Sequence, residues 1–382
     1  MAVIIIISLI ALLTFPNIIN QIKKTKKSNN KMIEDVVIEQ AKKYVSDNKD
    51  ELLEDEYCLS ISTLIDNDYI KEEIVDINGI KDNKKVQVIS GDKNSYKIVD
   101  NDDCVPTAVK YLLKKTNTIT VTNYTDGDIH EMYTFEHEAT VQTPALTDYR
   151  YIGNDPNNYV EFNNELWRII GVFETDDGTG NYEKRVKIIR NDSLGNNQWN
   201  ASNINEWVDS TMQLYLNDTY TIENNFKKMI GTTKWYLGAP RNGATKAEDI
   251  YLSERSQSAY DSSRSKYWIG LIGLMSVSDY KYTYSLGVNN QCYTNSCAEW
   301  QGGLPTSGWL YISELRQWVI TPSLSTYGDA VFAISSGGIG VPNGGAKNSL
   351  ATRPALYLKS NVKITFGDGT ESNPYKLSMK ES

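Results

Sequence analysis

Among the 382 residues, the side chains best suited to redox, nucleophilic or metal chemistry are Cys58, Cys104, Cys292, Cys297, His130 and His137. No two cysteines form a CxxC pair and only two histidines exist, which argues against a structural zinc site. In "DIHEMYTFEHEATVQTP" the alternation of Ile129, Glu131, Tyr133 and Phe135 is strand-like. Histidines seven apart on a strand point to opposite faces, so metal ligation by the pair is disfavoured, and both are expected in solvent or at an interface. The acidic turns "NDDC" and "TDGD" hint at Ca2+ but lack EF-hand spacing, and Asp/Gly turns are far commoner than ion sites. We therefore expect no metal and no cofactor.

The cysteines fall two to each half of the chain. In an exported protein they would pair as Cys58–Cys104 and Cys292–Cys297; the alternative is four buried thiols in a reducing cytosol. The first bridge would close a loop of 47 residues, 58 to 104 inclusive. It would contribute about 4 kcal/mol, and the short second loop about 2 kcal/mol. Cys292 and Cys297 lie in a Tyr/Asn/Ser loop with no base to depress a thiol pKa, which suits a staple better than a nucleophile. There is no GxSxG, P-loop or HExxH. Both histidines precede residue 148, so a Ser-His-Asp set within the later half is excluded. Carboxylates are too common to single out a glycosidase pair. Arg168 and Arg353 are expected to anchor strand ends.

Binding chemistry is better represented. Residues 148–382 hold 18 of the 25 tyrosines and all eight tryptophans, among Asn, Ser and Gly. Such surfaces recognise sugars or proteins at low conformational-entropy cost. Trp167, Trp207, Trp268 and Trp318 read mostly as core. Trp300 and Trp309, in "CAEWQGGLPTSGW", together with Tyr293 in the cysteine loop, are the candidate ligand-binding residues. The "LPTSG" within that stretch departs from a sortase signal and is a loop.

The elements that must carry these residues divide near residue 145. Residues 31–147 hold 24 Asp/Glu against 13 Lys/Arg, whereas 148–382 hold 24 against 22. The net charge of −9 argues against nucleic acid as a partner. Ala2 to Phe15 is apolar except for Ser8 and Thr14, with Pro16 and then four lysines after it. As a helix that run spans about 21 Å, short of a ~30 Å hydrocarbon core. Ile33, Val37, Ala41 and Tyr44 are spaced as an amphipathic helix over 30–45, flanked by Val36 and Val45. Ser60 can cap a second helix with Ile61, Leu64, Ile65 and Tyr69 as its buried edge, ahead of the strands "KVQVIS" and "SYKIVD". Further on, "YVEF-NN-ELWRIIGVF" is a hairpin on Asn163-Asn164, and "KRVKIIR" is a third strand. "SNINEWVDSTMQLYLN" is expected as a helix capped by Asn203 or Asn205, and "AVFAISSGGIGV" as a hairpin.

Two resemblances extend this. "AVIIIISLIALLTFPNII" resembles the interior of a type IV prepilin N-terminus, with Pro16 where that family kinks its first helix; the Gly, Phe and Glu of the family motif do not occur in this sequence. "ALTDYRYIGNDPNNYVEFNNELWRIIGVF", "IGLMSVSDY" and "ATRPALYLKSNVKITFGDGTESNPYKL" resemble a module of surface proteins from Gram-positive gut bacteria. Its strand and helix order is similar to the C-type-lectin fold shared with formylglycine-generating enzymes.

The resemblances imply an α+β chain. A long N-terminal membrane and pilin-type helix with its amphipathic continuation would cover 1–57. A small acidic pilin-like head would follow at 58–125, a linker or strand at 126–147 and a C-type-lectin-like module at 148–382. In that module Leu166–Phe173 would pair with Ala355–Ile364. The implied function is a membrane-rooted surface protein displaying a non-catalytic adhesion module. Its partners would be the membrane, other pilin subunits, and a glycan or surface protein, with the body outside the cell. The alternatives are an exported enzyme acting on glycan or polypeptide, or a minor pseudopilin of a DNA-uptake or secretion apparatus.

Overall fold

The computed structural model describes residues 29–48, 56–75, 80, 84–89, 94–100, 106–117, 132–153, 155–240, 247–256, 263–283, 308–323, 328–335 and 338–379. The chain divides into two compact units, Met1–Val105 and Pro106–Ser382. This moves the expected boundary well forward. Residues 132–137, in the stretch read from sequence as a linker or strand, form a strand inside the second unit's main sheet.

In the first unit, helix α1 (Asn29–Asp47) buries Ile33, Val37, Ala41 and Val45, an i, i+4 stripe, while Val36 and Tyr44 are half-buried beside it. The stripe lies in one core with Leu59, Val86 and Val88 of an antiparallel sheet. That sheet is β1 (Glu56–Ser60), β2 (Lys84–Ile89) and β3 (Ser95–Asp100), in the order β1-β2-β3. Ser60 caps α2 (Ile61–Asp66) by accepting a bond from the Thr63 amide at 3.0 Å, and α3 (Glu72–Val75) adds Ile74 and Val75 to the core. Cys58 is disulfide-bonded; Cys104, Cys292 and Cys297 lie outside the described residues.

The second unit opens with α4 (Ala108–Leu113), then β4 (Thr116–Asn117), β5 (Met132–His137), β6 (Leu146–Tyr151), β7 (Tyr159–Phe162), β8 (Glu165–Asp176) and β9 (Tyr182–Arg190). Asn163 and Asn164, both at φ 57°, make the β7–β8 turn, the left-handed pair a two-residue hairpin requires. β10 (Asn196–Gln198) opens a second sheet. Ser210, not Asn203 or Asn205, caps the short α5 (Thr211–Leu214). After α6 (Asn224–Lys227) come β11 (Thr233–Tyr236), α7 (Ala247–Glu254), β12 (Tyr267–Gly270), β13 (Ile272–Leu274) and α8 (Val277–Lys281). β14 (Gln317–Pro322), β15 (Val331–Ser335), β16 (Gly338–Gly340) and β17 (Ser349–Ala351) complete the second sheet, ordered β10-β17-β14-β15-β16. β18 (Pro354–Tyr357) joins the main sheet, and β19 (Lys363–Phe366) pairs with β20 (Lys376–Ser378). The main sheet has eight strands, in the order β13-β18-β9-β8-β6-β5-β4 with β7 on β8.

This overturns the expected fold class. The described chain is a mixed fold dominated by several antiparallel sheets. Its longest α-helix is α1, at 19 residues, and β1 already begins at Glu56 within the range assigned to one long helix. Early strands and the late strand β18 do share the main sheet, but the direct pairing expected of a lectin-like module is not made among the described residues. β18 pairs with β9, which separates it from β8, so Leu166–Phe173 does not meet Ala355–Tyr357. Among the described residues no helix is long and apolar enough to cross a membrane. The run Ala2–Phe15 and Pro16 lie outside the described residues.

Candidate ligand-binding face

Strands β11 and β12 form a two-stranded antiparallel ribbon pairing Lys234 with Ile269, Trp235 with Trp268 and Tyr236 with Tyr267. Alternation along "TKWY" and "YWIG" sends Trp235 inward, 3% exposed, and leaves Tyr267 and Ile269 outward at 47% and 43% exposed. Lys234 and Tyr236 share that outer face with them. Glycine is required at 270 because the Trp268 ring fills the space a β-carbon would occupy. Gly178, at φ 97°, brings the β8–β9 turn against Ile269 in the same way. The ribbon is thus backed by rigid aromatic rings and presents Tyr267 and Ile269, with Tyr236 and Lys234 half-buried beside them. The Lys234 ammonium sits 5.4 Å from the Tyr236 ring centroid and 4.7 Å from that of Tyr267.

Beside the ribbon is a cavity of about 20 Å3, lined by Lys187, Lys234, Trp235, Tyr236, Glu254 and Arg255 among others. It has room for about one water. Beneath it a buried ion network ties the main sheet to α7 and α8. Lys187 of β9 bonds Asp279 Oδ2 at 2.5 Å, and Arg150 of β6 bonds Asp279 Oδ1 at 3.1 Å and Asp148 Oδ2 at 2.8 Å. Ser276 and Asp279 form a capping box at the start of α8, which fixes the Asp279 carboxylate. Burial pushes Asp279 up, but Lys187 and Arg150 outweigh it and hold the carboxyl well below its usual range. Burial likewise opposes charge on Lys187, and Asp279 more than compensates, so Lys187 is held as an ammonium rather than as an amine nucleophile. Glu254, buried on α7, is shifted up by desolvation even though it lies near Arg255 and accepts bonds from Ser278 and Thr321.

His137 belongs to this network, which corrects its expected place in solvent or at an interface. It is 3% exposed and stacked 3.6 Å from the Tyr251 ring. Its Nδ1 lies 2.7 Å from Glu248 Oε2 and its Nε2 3.2 Å from Asp148 Oδ2. The reason is pairing: β5 runs against β6, with α7 supplying Glu248 and Tyr251. Tyr282 donates to the same Glu248 oxygen at 2.7 Å.

Of the candidate ligand-binding aromatics, Trp300 and Tyr293 lie outside the described residues, as does His130. Trp309 is not a surface residue. It is 4% exposed, donates to the Tyr151 carbonyl at 3.0 Å, and lies 4.8 Å from the Arg168 guanidinium. Trp167, Trp207 and Trp318 are core, and Trp268 is half-buried. Arg168 holds Asn158, Asp155 and the Pro156 carbonyl, while Arg353 holds the Arg190 and Leu310 carbonyls and Gln317. Both fasten strand ends. Among the described residues no group of three His, Cys, Asp or Glu is arranged to hold a metal. Compared with known proteins, the chain matches no family model, no curated protein and no solved structure.

Proposed function

We propose that this protein is a non-catalytic, surface-displayed binding protein whose Pro106–Ser382 unit engages a saccharide through the outer face of the β11–β12 ribbon. The observation that carries this reading is the exposure of Tyr267 and Ile269 beside Tyr236 and Lys234 on a ribbon stiffened by Trp235 and Trp268. Phenol rings offer a flat apolar face to sugar C–H groups and a hydroxyl to their oxygens, with little side-chain entropy lost. Placement outside the cell is supported by the disulfide at Cys58, since such bonds persist in oxidising compartments.

A glycan array probed with the full chain and with Tyr267→Ala tests this. Binding by the wild type that the variant loses, with an unchanged melting temperature, is the expected result. Equal binding by both, or none by either, would refute it.

A further inference from the structure

Lys234 at the ribbon is held more loosely than the cations buried beneath it, and Arg255 beside it is stacked 3.4 Å from the Tyr251 ring centroid with Asp148 and Glu254 as its nearest charges. Lys234 Nζ has one carboxylate near it, Asp176 Oδ2 at 3.7 Å, too far for a hydrogen bond. Arg255 has Glu254 at 3.9 Å and donates through Nη1 to the Tyr251 carbonyl at 3.4 Å, while its buried Nε has no acceptor. The neighbouring carboxylates are partly engaged elsewhere. Glu254 accepts from the Ser278 amide, the Ser278 hydroxyl and the Thr321 hydroxyl. Asp176 accepts from the Gly178 amide through Oδ1 and turns Oδ2 toward Lys234, and Glu174 accepts from the Thr147 amide. Both cations also pack on one ring: the Arg255 guanidinium is 5.1 Å and the Lys234 ammonium 5.4 Å from the Tyr236 centroid. The Tyr236 hydroxyl lies 3.3 Å from that of Tyr182, and Lys234, Tyr236 and Arg255 line the same cavity.

We infer that this cavity edge is an anion subsite that receives a carboxylate or phosphate substituent of the saccharide, held by Lys234 and Arg255 beside Tyr236. The inference rests on the saccharide reading of the ribbon and adds a charge requirement to it. A guanidinium and an ammonium that pack on one phenol ring and line one cavity supply several donors there, and charge-assisted bonds to an anion are the strong ones. The aromatic face would bind the ring of the sugar, and the two cations would select for its charge.

The test uses the full chain and glycan pairs differing in one charge. One pair is a hyaluronan tetrasaccharide and its carboxyl-reduced form. The other is a phosphorylated oligomannose before and after phosphatase treatment. The charged member of at least one pair should bind about tenfold more tightly, the worth of one charge-assisted bond, and the pair concerned identifies the anion. Raising the salt should erode that preference. Lys234→Gln should abolish the preference, read as the ratio of charged to neutral affinity, with the fold intact by melting temperature, and Arg255→Lys should retain part of it. Equal affinity for both members of both pairs overturns the subsite but leaves the saccharide reading standing. So does a preference that survives Lys234→Gln. Failure to bind any glycan overturns both.

Discussion

Lys187 on β9 of the main sheet and Lys234 on β11 of the ribbon belong to different sheets, and each ammonium rests over aromatic rings. Their counter-ions differ. Lys187 is 4% exposed at its side chain and bonded to an equally buried Asp279 at 2.5 Å, whereas Lys234 is 17% exposed and 3.7 Å from Asp176. The first pair is closed: its carboxylate is shared with Arg150, fixed by a helix cap and shielded from water. The second is open, with donors unspent at the edge of a cavity. The same residue type therefore serves as foundation in one place and as recognition surface in the other, and the difference lies in what the neighbouring carboxylates are already doing.

That contrast can be broken from the foundation side first. Asp279→Ala leaves Lys187 and Arg150 buried without their shared partner and should destabilise the fold by about 3–5 kcal/mol in chemical denaturation. His137→Ala removes a ring packed between Asp148, Glu248 and Tyr251, and should cost about 2–3 kcal/mol by the same measurement. Acid should act on the same network. Burial raises Asp279 and Asp148, yet their cationic neighbours lower both below their unfolded values. The unfolded chain thus takes up protons first, so the stabilisation is whole above about pH 5 and is lost as pH falls. The slope of stability against pH below 5 should be shallower in Asp279→Asn. From the recognition side, Lys234→Gln should change stability by less than about 1 kcal/mol. Tyr267→Ala should stay within about 0.5 kcal/mol, and both should be visible mainly in binding.

How much of this was legible in the sequence depended on the range of the interaction. The Ile33–Val37–Ala41 stripe, the Ser60 cap and the Asn163-Asn164 turn are local, and periodicity or backbone preference alone marks them. The sheet order was not legible, because nothing in "RPALYLK" says that its neighbour is "KRVKIIR" rather than "ELWRIIGVF". The ion network was hidden for the same reason. Asp279 lies 92 residues from Lys187 and 129 from Arg150, and His137 lies 111 from Glu248. Trp309 misled because its Gly- and Pro-rich surroundings suggested a surface loop, whereas its indole bonds to β6 across 158 residues. The ribbon was half visible: alternation in "TKWY" and "YWIG" separates inward from outward residues, but only their pairing puts Tyr236 and Tyr267 on one face.

The central claim is that the β11–β12 ribbon is where ligand binds. Hydrogen–deuterium exchange of the full chain, with and without the best glycan from the array, tests this most directly. Slower exchange concentrated at residues 233–236 and 267–270 is the predicted result. Protection confined to other segments, with the ribbon unchanged, would contradict it.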